Sequence, residues 1–126
     1  MSAGGDARST IVDALMAAGV PAVGHTPKAL IPPIVAIEPG DPWYTVTRLG
    51  KGLQASLELR AVAIVNAIDS ESSIAQLETL VEAAILALPA GVAAVDVGRP
   101  DTVDTGSQGE MLQAVITLIA HITDKE

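Results

Sequence analysis

Histidines and carboxylates are the first residues to test for chemistry. The chain has two histidines, His25 and His121. Neither belongs to an HxxxH or HxH pair, the spacings that set two imidazoles on one metal. His25 lies in a proline-flanked loop and His121 on the polar side of the last apolar segment, and both read as ordinary polar histidines. There is no cysteine, so disulfides and thiolate metal sites are excluded. No serine stands in a GxSxG elbow. Gly50-Lys51-Gly52 is too short for a phosphate-binding loop and reads as a turn. The acids of GRPDTVDTGSQGE, residues 98–110, are Asp101, Asp104 and Glu110, with Asp96 just before them. Their spacing does not build the ligand ladder of a calcium loop. These residues point to no enzyme, and no cofactor or metal is expected.

What remains is a candidate contact surface. The stretch IPPIVAIEPGDPWY, residues 31–44, holds four of the eight prolines and both aromatic side chains, Trp43 and Tyr44. Rigid aromatics held by a stiff backbone suit binding surfaces. The competing reading is that Trp43 is the packing anchor of an otherwise aliphatic core.

The elements that must position this stretch follow from periodicity and punctuation. Val12, Leu15 and Met16 recur at helical spacing, and Gly19 and Pro21 stop the chain, so a helix is expected over Asp6–Ala18. Ile34, Val35 and Ile37 are β-branched between prolines and predict a strand. Pro39-Gly40-Asp41-Pro42 predicts a turn, because proline presets φ and glycine frees it. WYTVTRL reads as a second strand or an extended loop. Leu53, Ala55, Leu57, Leu59, Ala61, Ala63 and Val65 alternate with polar residues as far as Arg60, which predicts a strand of about 12 residues. Val62 and Ile64 then make both faces apolar, so that end runs under cover. Ser70 or Ser73 is expected to cap a second helix, with Ile74, Leu77, Leu80, Val81, Ala84, Ile85 and Leu88 as its apolar stripe. VAAVDV predicts a short strand, and residues 98–110 a long polar loop. MLQAVITLIAHI alternates strictly; its β-branched content favours a strand, with a helix as the alternative. The sum is an α+β domain, a small mostly antiparallel sheet with two helices on one face. It is expected to occupy residues 1–126, with flexible ends at about 1–5 and 123–126.

Composition narrows the partners. The 126 residues are 49% hydrophobic but only 2% aromatic, so the core must be aliphatic. The longest apolar run, residues 83–95, is interrupted by Pro89 and Gly91 and is too short to span a bilayer. No signal pattern opens the chain, and a soluble protein with no membrane partner is expected. The net charge is −8. Residues 1–66 balance, so the whole excess falls in residues 67–126. Such a surface repels phosphate backbones.

PPIVAIEPGDPWY, followed by a long alternating strand and a helix of the form IAQLETLVEAAILALP, resembles the tail terminator proteins of long-tailed, siphovirus-type bacteriophages. It is most similar to those of phages with actinobacterial hosts. The resemblance runs from about residue 9 to residue 122 and implies a structural virion protein of the tail and neck, present in the host cytoplasm during assembly. It implies a homo-oligomer, a hexameric ring on the head-proximal end of the tail tube. That ring ends tube polymerisation and offers a surface to the head-completion or connector protein. Its partners would be the tail tube protein and the connector. Pro33, Asp41, Pro42 and Trp43 fall on the matching segment and, with Tyr44, are the candidate interface residues. DNA passes through such a ring without sequence-specific binding. Glu71, Glu78, Glu82, Asp101 and Asp104 are then candidates for a lumen that repels it. The alternatives are another neck or head-completion protein, and a small cytoplasmic ligand-binding regulatory domain.

Overall fold

A computed structural model describes residues 3–24, 32–46, 53–67, 70–104 and 110–124. The elements in chain order are α1 (Ala3–Ala17), β1 (Ala22–Val23), β2 (Ile34–Val46), β3 (Leu53–Asn66), α2 (Ser70–Leu86), β4 (Val92–Val97), β5 (Asp101–Asp104) and β6 (Glu110–Asp124). The strands form one sheet in the order β1-β2-β3-β6-β4, with β5 also pairing with β6. The only parallel pair among the described residues is β1 with β2. The fold is the expected small α+β domain.

The sheet is organised by β3 and β6. They pair antiparallel without interruption from Leu53↔Asp124 to Asn66↔Met111. Alternation in both strands sends one set of side chains to the helices. Ala55, Leu57, Leu59, Ala61, Ala63 and Val65 of β3 meet Ala114, Ile116, Leu118, Ala120 and Ile122 of β6 in a single buried cluster. Ile11 and Leu15 of α1 and Leu77, Leu80 and Ala84 of α2 complete it from above. Removing this much aliphatic surface from water, at about 25 cal/mol per Å², is the main force holding the layers together. The last segment, ambiguous by pattern, is therefore a strand.

The opposite face is polar at one end and apolar at the other. Ser56 and His121 pair across β3 and β6, with Ser56 Oγ 3.2 Å from His121 Nδ1. At the far end Val62, Ile64 and Met111 are buried, with Ile34 and Val115 packed beside them. This is the covered end that the two apolar faces after Arg60 imply.

Several boundaries differ from expectation, each for a local reason. Helix α1 begins at Ala3, three residues early. Gly4 and Gly5 are poor helix formers, but Gly4 is buried where the Tyr44 hydroxyl lies against the helix, and a Cβ there would collide with it. The expected fraying of residues 1–5 thus covers three helical residues, and β6 likewise extends to Asp124. Helix α2 starts at Ser70, and Ser73 is not its cap. Ser73 is buried and its Oγ donates to the Asn66 carbonyl at 2.9 Å, tying the helix to the end of β3. Ile74, placed on the apolar stripe by spacing, is instead an exposed side chain. The polar stretch 98–110 is not all loop, since its residues 101–104 form β5 and pair with β6 from Asp101↔Gln113 to Asp104↔Glu110. The expected turn at Gly50-Lys51-Gly52 and the loop around His25 lie outside the described residues.

Candidate functional site

The clearest departure from the sequence reading falls on the candidate interface. Pro39-Gly40-Asp41-Pro42 does not turn the chain back. β2 continues through it, with Pro39 opposite Leu59 and Tyr44 opposite Leu57. Gly40 to Trp43 therefore bulge out opposite Glu58 alone. The prolines explain this outcome. They cannot donate to a ladder, so an edge strand must leave register where they stand. The Asp41–Pro42 peptide bond is cis, as is Pro32–Pro33.

The bulge is fastened from below by Glu58. The Asp41 backbone N–H donates to Glu58 Oε2 at 3.1 Å. Gly40 must be glycine for a steric reason, because a Cβ there would lie 2.6 Å from Glu58 Cγ and 2.9 Å from the Glu58 carbonyl oxygen. A carboxylate accepting from a backbone N–H is among the stronger neutral-to-charged hydrogen bonds. Asp41 itself is exposed and serves through its backbone.

The two aromatic rings then part company. Tyr44 is half-buried, packs on the helix-side core and reaches the first turn of α1. Trp43 beside it is 46% exposed. The rings still touch edge to face, with centroids 4.9 Å apart and planes at 64°. Tyr44 is thus the packing anchor, and Trp43 is the presented surface. Pro42 and Val46 beside it are exposed as well.

Pro33 sits at the other end of β2, in a second surface. An open groove of about 600 Å³ is lined by Gly19, Val20, Pro21, Pro33 and Val65, and by Ala75, Gln76, Thr79, Leu80 and Ala83 of α2. Among the described residues no charged side chain lines it. The sequence reading missed this groove. Its signal is nonetheless present: Ala75, Thr79 and Ala83 repeat every fourth residue and keep one flank of α2 small.

The acids of α2 border this groove, with Glu71 one turn before Ala75 and Glu78 one turn after it. Glu71, Glu78 and Glu82 are all exposed, and their spacing puts them on one ridge of α2. Glu78 and Glu82 line a smaller depression with Ile74, Val97, Gly98 and Pro100. Asp101, exposed, follows Pro100 directly. Three of the five candidate lumen acids therefore share one ridge of α2, whereas Asp101 pairs with Gln113 on the sheet face that carries Ile64 and Met111, away from the helices. Asp104 ends β5, and its side chain is outside the described set. Asp96 and Arg99 are exposed nearby.

For chemistry there is little to assemble. Among the described residues no group of three or more His, Asp or Glu is placed to hold a metal ion. His121 Nδ1 lies within hydrogen-bonding distance of Ser56 Oγ. No described helix is long and apolar enough to cross a membrane. Compared with protein-family models and with curated proteins, the chain matches none.

Proposed function

We propose that this protein is a structural subunit, a tail terminator of a long-tailed bacteriophage that assembles into a ring on the head-proximal end of the tail tube. The observation that carries the reading is Trp43. A proline-braced, Glu58-fastened bulge holds the only indole of the chain half out of its own core, within the segment that bears the family resemblance. An exposed, rigid aromatic is how a protein presents a hot spot to another protein. The acidic ridge of α2 supports the same reading, since Glu71, Glu78 and Glu82 on one ridge can face a DNA passage without retaining the phosphate backbone.

In this role the subunit ends tube polymerisation and offers its free side to the head-completion protein. Deleting the gene from the phage should give tails of uncontrolled length that carry no heads. Tails of normal length joined to heads would refute the reading. The lumen assignment has its own test in the assembled ring, where finding all five acids on the outer rim would remove it.

A second reading is favoured by the groove beside α2. An uncharged concavity of about 600 Å³ is within the size range of small-molecule sites. A small ligand-binding regulatory domain would use it. Such a domain would be a monomer or dimer at every concentration and would be stabilised by an apolar ligand, whereas the ring reading requires association.

A further inference from the structure

The acidic half of the chain contains a small apolar depression at the margin of the sheet. Leu77 and Val81 of α2, Val97 at the end of β4 and Pro100 after it line the depression, and Glu78 and Glu82 border it. Val97 faces α2 because it pairs with Ile116, a core residue of β6. Ile74 and Val97 at this depression are 44% and 40% exposed. Carboxylates by themselves make a solvated helix face. Exposed aliphatic side chains with carboxylates at their rim make a contact surface. The backbone is open here as well. Among the described residues β4 pairs only with β6. Gly98 N–H donates to the Val115 carbonyl at 2.8 Å. By the alternation of an antiparallel ladder, Val97 one residue earlier turns its own N–H and C=O to the open side. The register shift between Ala94 and Asp96 interrupts the edge just before this point.

We infer that this depression binds an extended basic segment of another protein, which seats one aliphatic side chain against Leu77, Val81 and Val97 and sets its flanking cations on Glu78 and Glu82. Size selects the kind of occupant. The depression holds about 140 Å³, room for one aliphatic side chain and below the roughly 300 Å³ at which small-molecule sites begin. Charge selects its sign. Residues 67–126 carry ten acids against Arg99 and Lys125. Arg99 is exposed between Gly98 and Pro100 and does not line the depression. Asp96 and Asp101 pair with Thr117 and Gln113 and so belong to the other face of the sheet. A second copy, with its net charge of −8, meets repulsion here, whereas a basic segment is drawn in and held in register by the two carboxylates. Its backbone can pair with Val97 as an added strand does at a sheet edge. The contact does not rest on the ring reading. In a ring it would take Glu78 and Glu82 for a protein partner and leave Glu71 to the DNA passage.

The probe is a fluorescein-labelled peptide, acetyl-Ser-Lys-Ser-Leu-Ser-Lys-Ser-amide, which in extended form puts both lysines on the face of its leucine. Its fluorescence anisotropy should rise when it is titrated with the full-length protein at low salt, and about 0.5 M salt should weaken the binding several-fold. Serine in place of the leucine, or glutamate in place of both lysines, should abolish binding. Glu78→Gln with Glu82→Gln should weaken it on the order of fivefold. The thermal midpoint should stay unchanged, because both side chains are exposed. Ile74→Lys puts a cation beside the depression at an exposed position and should abolish binding. Glu78→Lys with Glu82→Lys is decisive, since this variant should bind the glutamate peptide and refuse the lysine peptide. A lysine peptide that fails to bind at millimolar protein, a serine-for-leucine peptide that binds equally, or no response to the Glu78 and Glu82 substitutions would each overturn the contact. Self-association of the protein alone, abolished by Ile74→Lys in sedimentation, would give the depression to a second copy and overturn the basic partner. Glu78 and Glu82 bare on the passage of an assembled ring would overturn the contact while leaving the ring reading intact. Normal tails after gene deletion would do the reverse.

Discussion

Replacing Gly40 with alanine should unfasten the bulge that presents Trp43. The new Cβ would stand 2.6 Å from Glu58 Cγ, 2.7 Å from Oε2 and 2.9 Å from the Glu58 carbonyl oxygen. The side chain can swing aside, but only by giving up the hydrogen bond from Asp41 N–H. Losing a bond to a charged acceptor costs about 1.5 kcal/mol or more. The carbonyl cannot retreat as freely, because Glu58 is paired with Ile119 on its other side. Forcing a methyl against it adds about 1–2 kcal/mol of overpacking strain. The sum is about 3 kcal/mol, which for a domain of this size lowers the thermal midpoint by about 12 °C. Circular dichroism melts of Gly40→Ala, Glu58→Ala and the double variant give the decomposition. Glu58→Ala alone should cost about 1–2 kcal/mol. In that background the glycine substitution should cost about half as much as in the parent, since only the carbonyl is left to strike. Strict additivity, or a midpoint within about 2 °C of the parent for Gly40→Ala, would refute the account of the bulge given above.

The aromatic pair should behave asymmetrically in the isolated protein. Tyr44→Ala removes packing against the core and α1 and should cost about 2–3 kcal/mol, while Trp43→Ala should cost less than half of that in the same urea titration; the reverse order would mean that the indole is the anchor. Leu57→Ala, at 1% exposure in the middle of β3, should cost about 2–5 kcal/mol in chemical denaturation, and a loss under 1 kcal/mol would show that the aliphatic core is loosely packed there.

The long elements were legible because their patterns are redundant. β3 and β6 each repeat the alternation over five or more apolar positions on the core face, so no single residue decides them. α2 is set by its stripe in the same way. The proline-rich stretch was not legible, because local turn chemistry and an edge-strand bulge ask for the same residues. Pro39, Gly40 and Pro42 satisfy either, and only the partner strand, through Glu58, decides. The division of labour between Trp43 and Tyr44 was hidden for the same reason, since a bulge of unknown length leaves the facing of both rings open. Residues 101–104 were missed as a strand because DTVD is short and polar, and it pairs only because β6 extends past β4 to receive it. The acids of α2 were found by type and spacing, but the groove they border needed the helix to be docked.

β6 follows the other described strands in the chain, yet it lies inside the sheet, between β3 and β4. Its partners on β3 are some sixty residues earlier in the chain, as in Ser56 with His121. Until β6 emerges, β3 has only β2 beside it, and both helices lack half the floor on which they rest. The nascent chain therefore cannot close its core progressively; it must wait for β6 and then zip a long, non-local ladder, a slow class of folding event. Trimming the end of β6 would cut into the middle of the sheet and not its margin.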